Sequence, residues 1–170
     1  MKLKSIIVPA LFILGLNILV FAKTLSFGFV WDDNVSHLRS NPALMGNRPK
    51  EFWKKTYDGL YIPLSYTIWT FLAHTDLAKS DSKDEVFKAM PFHFLNFSFH
   101  ILNSILVLLL LFAFCGNNVA AFMGAAIFAV HPMQVESVAW ISEFRGLLCA
   151  FFFFSALDRK STRLNSSHRT

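Results

Sequence analysis

The sequence predicts an all-α integral membrane protein, a partial multi-span helical bundle with a long extracytoplasmic loop. Its composition supports this class, because 54% of the 170 residues are hydrophobic and only 16% are charged, whereas about a quarter of the residues in a soluble domain are charged. Several long stretches carry no charge at all. The same hydrophobicity excludes a disordered chain, and two cysteines are too few for a disulfide scaffold.

Four uncharged stretches are candidate membrane helices, since about 20 helical residues cross the roughly 30 Å hydrocarbon core. They cover residues 5–22, 92–114, 117–131 and 147–157. The first is expected to be an uncleaved span, because its apolar run is long for a signal peptide and no clean cleavage site follows. The third is expected to end at His131, because Pro132 disfavours helix in the residue before it. The fourth is cut after eleven residues, which predicts about three full spans and a truncated fourth.

The last thirteen residues, 158–170, are polar and basic and follow an apolar run directly. Eleven of them, Asp158 to His168, read DRKSTRLNSSH, which matches the translation of a short-read sequencing adapter residue by residue. We therefore expect this segment to be an artefact and exclude it from fold reasoning. The alternative is a genuine basic cytoplasmic tail. Without the segment the net charge falls from +5 to +2, which removes the case for a nucleic-acid partner.

The charges around the first span predict its orientation. Lys2 and Lys4 precede it and favour a cytoplasmic N-terminus. The loop 23–90 and the segment 131–146 then lie together outside the cytoplasm. Within that loop the apolar stretch 60–72 is too short to cross, so we expect it to lie in the membrane interface or to re-enter the bundle. Six polar residues with chemical potential share this side of the membrane: Asp32, Asp33, His131, Glu136, Glu143 and Arg145.

Two adjacent carboxylates, Asp32 and Asp33, follow an aromatic run just outside the first span. Carboxylates in this position can bind a divalent cation or accept a proton from a hydroxyl as a general base. The alternative is a turn or a helix N-cap, a frequent role for aspartate. The pair is therefore a candidate catalytic site and a possible metal site.

The second span carries four polar side chains at spacings of 3, 4 and 3, which place them on one helical face. They are His93, Asn96, His100 and Asn103. Polar groups within a membrane face the interior of the bundle or a water-filled cavity. The stripe therefore predicts either hydrogen bonds between helices or the wall of a cavity that binds substrate.

A further polar group follows the third span. It consists of His131, Glu136, Glu143 and Arg145. If residues 133–145 form one helix, Glu136, Trp140 and Glu143 share a face. The guanidinium of Arg145 suits a phosphate, and His131 would add a second donor. The alternative is an interfacial helix with pairing between glutamate and arginine. Other site types lack support, because the chain has no Walker or Rossmann glycine motif and its cysteines are isolated.

Four strings follow one another along the chain: FVWDDNVSHLRSNP, YIPLSYTIW, FHFLNFSFHILNSILVLLLL and FAVHPMQVESVAWISE. In this order they resemble the N-terminal part of tetratricopeptide-repeat membrane proteins, which are related to the C-type (GT-C) glycosyltransferases and the protein O-mannosyltransferases. The resemblance covers residues 5–157 and implies additional membrane helices and a C-terminal repeat array. One departure is Phe144-Arg145-Gly146, where many relatives have an acid after the basic residue.

The resemblance implies sugar transfer from a polyprenyl-phosphate donor in the membrane lipid to a hydroxyl of a protein or glycan acceptor outside the cytoplasm. Asp32 or Asp33 would accept the proton of that hydroxyl. His131 and Arg145 would stabilise the departing phosphate, and Glu136 would orient the acceptor or a divalent cation. We expect the site to face the periplasm of a bacterial inner membrane, and we expect the chain to be an inactive fragment of the enzyme.

Two other functions stay open. The chain could be the non-catalytic membrane anchor of a tetratricopeptide-repeat interaction protein, in which case no activity depends on the aspartate pair. It could also be a small packing or transport subunit, complete as written. That reading requires residues 158–170 to be genuine, and the eleven apolar residues of the fourth span argue against it.

Overall fold

The computed structural model describes residues 4–33, 38, 40–80 and 86–167, with side chains from 6 to 158 within these ranges. Some features of the sequence predictions lie outside the described residues. They are Lys2, the motif residues 34–37 and 39, part of the loop at 81–85, and the end of the basic tail at 168–170.

Within the described ranges the chain is all-helical and forms no β-sheet, which confirms the all-α part of the predicted class. The helices are α1 (Lys4–Phe21), α2 (Pro42–Met45), α3 (Pro63–Ala73), α4 (Met90–Phe114), α5 (Asn118–Val130), α6 (Gln134–Ala139) and α7 (Phe144–Ser167). Short 3₁₀ helices extend or connect them at Ala22–Ser26, Pro49–Trp53, Asp76–Ala78 and Ile141–Glu143.

Two of the described helices are long and apolar enough to cross a membrane. One joins α1 to its 3₁₀ extension over Ile6–Ser26, and the other is α4. Helix α5 is apolar but has only 13 residues, so its crossing remains a prediction. The backbone of α7 begins three residues before the predicted fourth span and continues through the polar tail as far as Ser167.

Helix α4 lies at the centre and packs against α1, α5, α6 and α7. Its contact with α5 depends on small residues. Ala121, Ala125 and Ala129 recur every fourth position and are fully buried in one cluster with Ile13 and Leu108. Small side chains let the helix backbones approach closely, which is how helices associate where lipid removes the hydrophobic driving force.

The residues between the two long helices form a compact aromatic lobe, residues 40–78. Its core stacks Phe52 on Tyr66 with ring centroids 4.7 Å apart, and Trp69 of α3 reaches Phe144 at the start of α7. Phe92, in the first turn of α4, belongs to the same buried cluster. Burial raises the pKa of Tyr66 to about 12. The lobe is therefore fixed to the ends of α4 and α7 where these helices begin.

The predicted helix over 133–145 is wrong. Helix α6 ends at Ala139, and Trp140 is extended at φ −98° and ψ 116° before the next 3₁₀ turn. Glu136 and Glu143 consequently do not share a helical face. The break frees backbone carbonyls that a continuous helix would satisfy, and a side chain of α4, Asn96, bonds them.

Candidate functional site

The two adjacent aspartates occupy different environments, and Asp33 is fully buried. Its Oδ1 accepts hydrogen bonds from the backbone N–H of Ser142 at 3.0 Å and from the Ser142 hydroxyl at 2.5 Å. Its Oδ2 accepts from the backbone N–H of Val30 at 3.3 Å. Burial raises the pKa of Asp33, and these hydrogen bonds limit the rise because they favour the charged form. Asp33 thus fastens the segment 27–33 to the segment 131–143.

Asp32 is exposed, in contrast to its neighbour. Its carboxylate has no hydrogen-bond or ion-pair partner among the described residues. The two aspartates therefore differ in role. The carboxylate of Asp33 accepts hydrogen bonds from protein donors, whereas the carboxylate of Asp32 is available to a ligand. Of the two predicted catalytic carboxylates, Asp32 is the one that an external hydroxyl can reach.

Trp31 precedes this pair in a strained backbone conformation, with φ at 45°. Asn and Asp enter the left-handed region readily, but a tryptophan there is an outlier. The Trp31 indole is 70% exposed and meets Trp140 edge to face, with centroids 5.2 Å apart. Strain of this kind persists only where the surroundings hold it in place. The bonds from Asp33 to Val30 and Ser142 supply that restraint.

An open apolar cleft of about 640 Å³ lies between the two segments that Asp33 joins. Its volume falls within the roughly 300–1,000 Å³ usual for ligand sites. The lining residues are Phe27, Val30, Trp31, Pro132, Met133, Val135, Glu136, Ala139 and Trp140. Glu136 is exposed and supplies the one ionisable side chain of this lining.

His131 lies beside this cleft, directly before the lining residue Pro132, and its ring is exposed. The Nδ1 atom accepts a hydrogen bond from the backbone N–H of Met133 at 3.2 Å. An accepting Nδ1 leaves the proton of the neutral ring on Nε2. The imidazole can therefore donate a hydrogen bond to a ligand from Nε2.

Glu143 and Arg145 pair with each other instead of joining the cleft. Arg145 Nη2 donates to Glu143 Oε1 at 2.6 Å, and both side chains are partly buried. Neither residue lines the cleft. Of the predicted site residues, Glu136 lines the cleft. Asp32 and Asp33 directly follow the lining residue Trp31 in sequence but are not lining residues themselves, and neither is the Glu143–Arg145 pair. The phosphate-binding role of Arg145 and the substrate-binding role of Glu143 remain predictions.

The four polar residues on one face of α4 are fully or almost fully buried. Each side chain donates to a backbone carbonyl of another segment: His93 to Gly28, Asn96 to Ser137 and Trp140, His100 to Ala129, and Asn103 to Leu147. None of the four lines the cleft. The geometry agrees with the interpretation as interior hydrogen bonds. It gives no support to the predicted role of these residues in binding substrate.

We expect Asn96→Ala to destabilise the segment 131–143 by about 1–3 kcal/mol, because two partly buried carbonyls lose their donor. The Nδ2 atom of Asn96 lies 2.8 Å from the carbonyl oxygen of Trp140 and 3.2 Å from that of Ser137. Thermal unfolding in detergent measures the loss. Ser98→Ala is the matched control, because Ser98 is half-buried on the same helix and bonds no such carbonyl. Equal effects of the two variants would contradict this assignment.

The predicted metal site does not fit the residues that are described. Within those ranges no group of three or more His, Cys, Asp or Glu side chains could hold a metal ion. Asp33, one of the two expected ligands, directs both carboxylate oxygens to protein donors. Asp32 alone makes a poor site for a divalent cation, which takes several oxygen ligands.

The sequence analysis did not identify two residues of the candidate site, Ser142 and Trp31. Ser142 binds Asp33 across 109 positions, and no local pattern signals a pairing of that range. Trp31 belongs to the aromatic run that directly precedes the acid pair. A tryptophan in that position was the available signal for a ligand site, and its exposure is evident only from the structure.

Two of the described helices are long and apolar enough to cross a membrane, which indicates a membrane protein. Two mammalian proteins are similar to it. Protein O-mannosyl-transferase TMTC3 from Homo sapiens is 29% identical over 155 residues, which cover 85% of this chain and 16% of that protein. The protein of the same name from Mus musculus is 30% identical over 145 residues, or 79% of this chain and 15% of that protein. This chain thus spans about one sixth of the length of these curated relatives. No family model and no solved structure matches it.

Proposed function

We propose that this chain carries part of a membrane glycosyltransferase site, which transfers a sugar from a polyprenyl phosphate to an acceptor hydroxyl outside the cytoplasm. The observation that carries the proposal is an open apolar cleft directly after a membrane-spanning helix, with the exposed Asp32 directly following the lining residue Trp31 in sequence. The similarity to protein O-mannosyl-transferases supports the class of reaction.

The cleft suits the hydrocarbon chain of the donor. Its lining begins at Phe27, one residue after the membrane-spanning segment Ile6–Ser26 ends. A polyprenyl chain could therefore enter from the lipid without crossing water, and burial of its apolar surface favours binding. The donor phosphate would then lie at the rim of the cleft, where His131 offers the N–H of Nε2.

Asp32 would act on the acceptor. Its carboxylate accepts the proton of the acceptor hydroxyl while the hydroxyl oxygen attacks the anomeric carbon. The bond between that carbon and the phosphate oxygen breaks, and the polyprenyl phosphate leaves with the electron pair. Glu136 would orient the acceptor across the cleft. Asp33, the alternative base in the sequence prediction, is assigned a positioning role because it is buried and fully hydrogen-bonded.

The proposal includes the orientation of the site, which would face away from the cytoplasm. The basis for this orientation is the pair of lysines before the first span. The assignment to a bacterial inner membrane finds no support in the two similar proteins, since both are mammalian. The proposed chemistry does not depend on the organism, because the same acceptor hydroxyl can be used whether the site faces the periplasm or a lumen.

A chimaeric enzyme tests the proposal. The aligned segment of human protein O-mannosyl-transferase TMTC3 is replaced by residues 1–157 of this chain, and mannosyl transfer from a polyprenyl-phosphate mannose is measured. We expect transfer by the chimaera, with the unmodified human protein as the positive control. A chimaera that is monodisperse and as thermally stable as the human protein, yet inactive, would contradict the proposed function.

A further inference from the structure

The aromatic lobe carries an apolar face that is used only in part in its own packing, through the half-buried Ile68. Leu64, Ile68 and Phe71 of α3 follow a spacing of 4 and 3, which sets them on one side of the helix. Phe71 is 63% exposed, Leu64 is exposed and Ile68 is half-buried. The opposite side of α3 is buried, through residues that include Tyr66 and Trp69. The helix is therefore anchored by one face and presents the other outward.

Two aromatic side chains with polar tips extend this apolar face. Trp53 is 54% exposed and its indole N–H donates to the hydroxyl of Thr67, on the flank of the same helix, at 3.1 Å. Tyr61 is exposed and its hydroxyl donates to the carbonyl of Trp53 at 3.2 Å. Tryptophan and tyrosine of this kind are enriched where hydrocarbon meets the lipid headgroups.

Cations flank the aromatic pair. Lys50 and Lys54 lie on either side of Trp53 in the sequence, and both are exposed. Neither lysine forms an ion pair with a described residue, whereas Lys55 is close to Glu51. Ammonium groups beside an apolar face suit the phosphates of lipid headgroups, and the stems of such lysines can lie along the hydrocarbon.

The place of the lobe in the fold identifies the occupant of this face. Phe92, in the first turn of the membrane-spanning helix α4, is buried in the same cluster as Trp69. This contact holds α3 at the end of a membrane span, at the height of the bilayer surface. Helix α3 has 11 residues, too few to cross the hydrocarbon. Its free apolar face can nevertheless immerse in the boundary between headgroups and acyl chains.

We propose that the aromatic lobe docks on the phospholipid surface of the membrane that its own chain spans. Leu64, Ile68 and Phe71 enter the acyl-chain boundary, Trp53 and Tyr61 lie at the headgroups, and Lys50 and Lys54 contact lipid phosphates. The docking limits the tilt of the lobe and fixes the height of the cleft above the bilayer. It is independent of the proposed transfer reaction.

Spin labels test the docking in the full chain reconstituted in phosphatidylcholine vesicles. Cys115→Ser and Cys149→Ser remove the two free, exposed cysteines, and a nitroxide is attached at Phe71→Cys. Collision with oxygen, which concentrates in lipid, is compared with collision with a water-soluble nickel chelate. Leu102→Cys on α4 is the lipid-facing reference, and Asp76→Cys on the surface of the lobe is the water-facing control; both side chains are exposed.

We expect the label at position 71 to give an oxygen-to-nickel collision ratio close to that at position 102 and severalfold above that at position 76. A ratio equal to that at position 76 would overturn the proposal, because the face would then lie in water. Low collision with both reagents would overturn it as well, because protein would then cover the face. The experiment does not use the donor lipid, so its result does not depend on whether the proposed transfer reaction is correct.

A second measurement tests the contribution of Lys50 and Lys54 separately. In vesicles that also contain phosphatidylglycerol, the collision ratio at position 71 is expected to rise, and the double variant Lys50→Gln, Lys54→Gln should lose that rise. A rise that survives in the double variant would overturn the role of the two lysines.

Discussion

Replacement of Asp32 by Asn is expected to lower the rate of sugar transfer by about 10²–10⁴-fold, the usual contribution of a general base. The amide keeps the size of the side chain but cannot accept the hydroxyl proton. Asp32 is exposed and makes no hydrogen bond or ion pair with a described residue, so the variant should keep the thermal stability of the parent. The chimaera that carries residues 1–157 is the protein in which transfer is measured.

Glu51→Gln serves as the matched control. Glu51 is another carboxylate of the segment 23–90, but it accepts hydrogen bonds from Arg48 and Tyr57 in the aromatic lobe and does not line the cleft. We expect this variant to keep parental transfer. Unchanged transfer in Asp32→Asn, or an equal loss in the control, would contradict the assignment of Asp32 as the base.

Replacement of Asp33 by Ala is expected to open the connection between the two segments that form the cleft. The buried N–H and hydroxyl of Ser142 lose a charged acceptor, and a hydrogen bond to a charged group contributes about 1.5–3 kcal/mol. Hydrogen exchange of the Ser142 amide should therefore accelerate by about 10- to 100-fold. Asp32→Ala is the control with unchanged exchange. Equal protection of the amide in Asp33→Ala and the parent would contradict the role given to Asp33.

Asp33→Asn separates the charge from the hydrogen bonds, because its amide oxygen can still accept from Ser142. Burial raises the pKa of Asp33 above the ordinary value of 3.8, so the folded state binds more protons than the unfolded state between the two pKa values. The free energy of unfolding contributed by this group therefore falls as pH rises from about 3.8 through the raised pKa. Asn removes this pH dependence. A difference between parent and variant that has the opposite sign would contradict the burial.

The long helices could be predicted from the sequence because their signal is local. An uncharged run of apolar residues has few alternatives to a buried or membrane-spanning helix, and residues 92–114 accordingly lie within α4. The polar stripe on α4 was predictable as a stripe for the same reason. Its partners were not predictable, because each carbonyl it bonds belongs to a distant segment, such as Gly28 for His93.

The sequence was sufficient to predict which residue types form the candidate site, but only part of their arrangement in space. The predicted topology placed the aspartate pair and the segment after His131 on one side, and the Asp33–Ser142 bond joins these two segments. The break at Trp140 escaped prediction, since helix periodicity alone continues past it. That break is stabilised by Asn96, 44 positions earlier, and such a long-range bond leaves no local pattern.

The central claim, that the cleft holds the donor lipid, is tested most directly by photo-crosslinking. A polyprenyl phosphate with a diazirine in its first isoprene units is added to the chain in nanodiscs, irradiated, and mapped by mass spectrometry. We predict label on residues 27–31 and 132–140, displaced by unlabelled polyprenyl phosphate and more weakly by polyprenol, which has the same chain but lacks the phosphate. Label spread along the lipid-facing sides of α1 and α4, unaffected by either competitor, would contradict the claim.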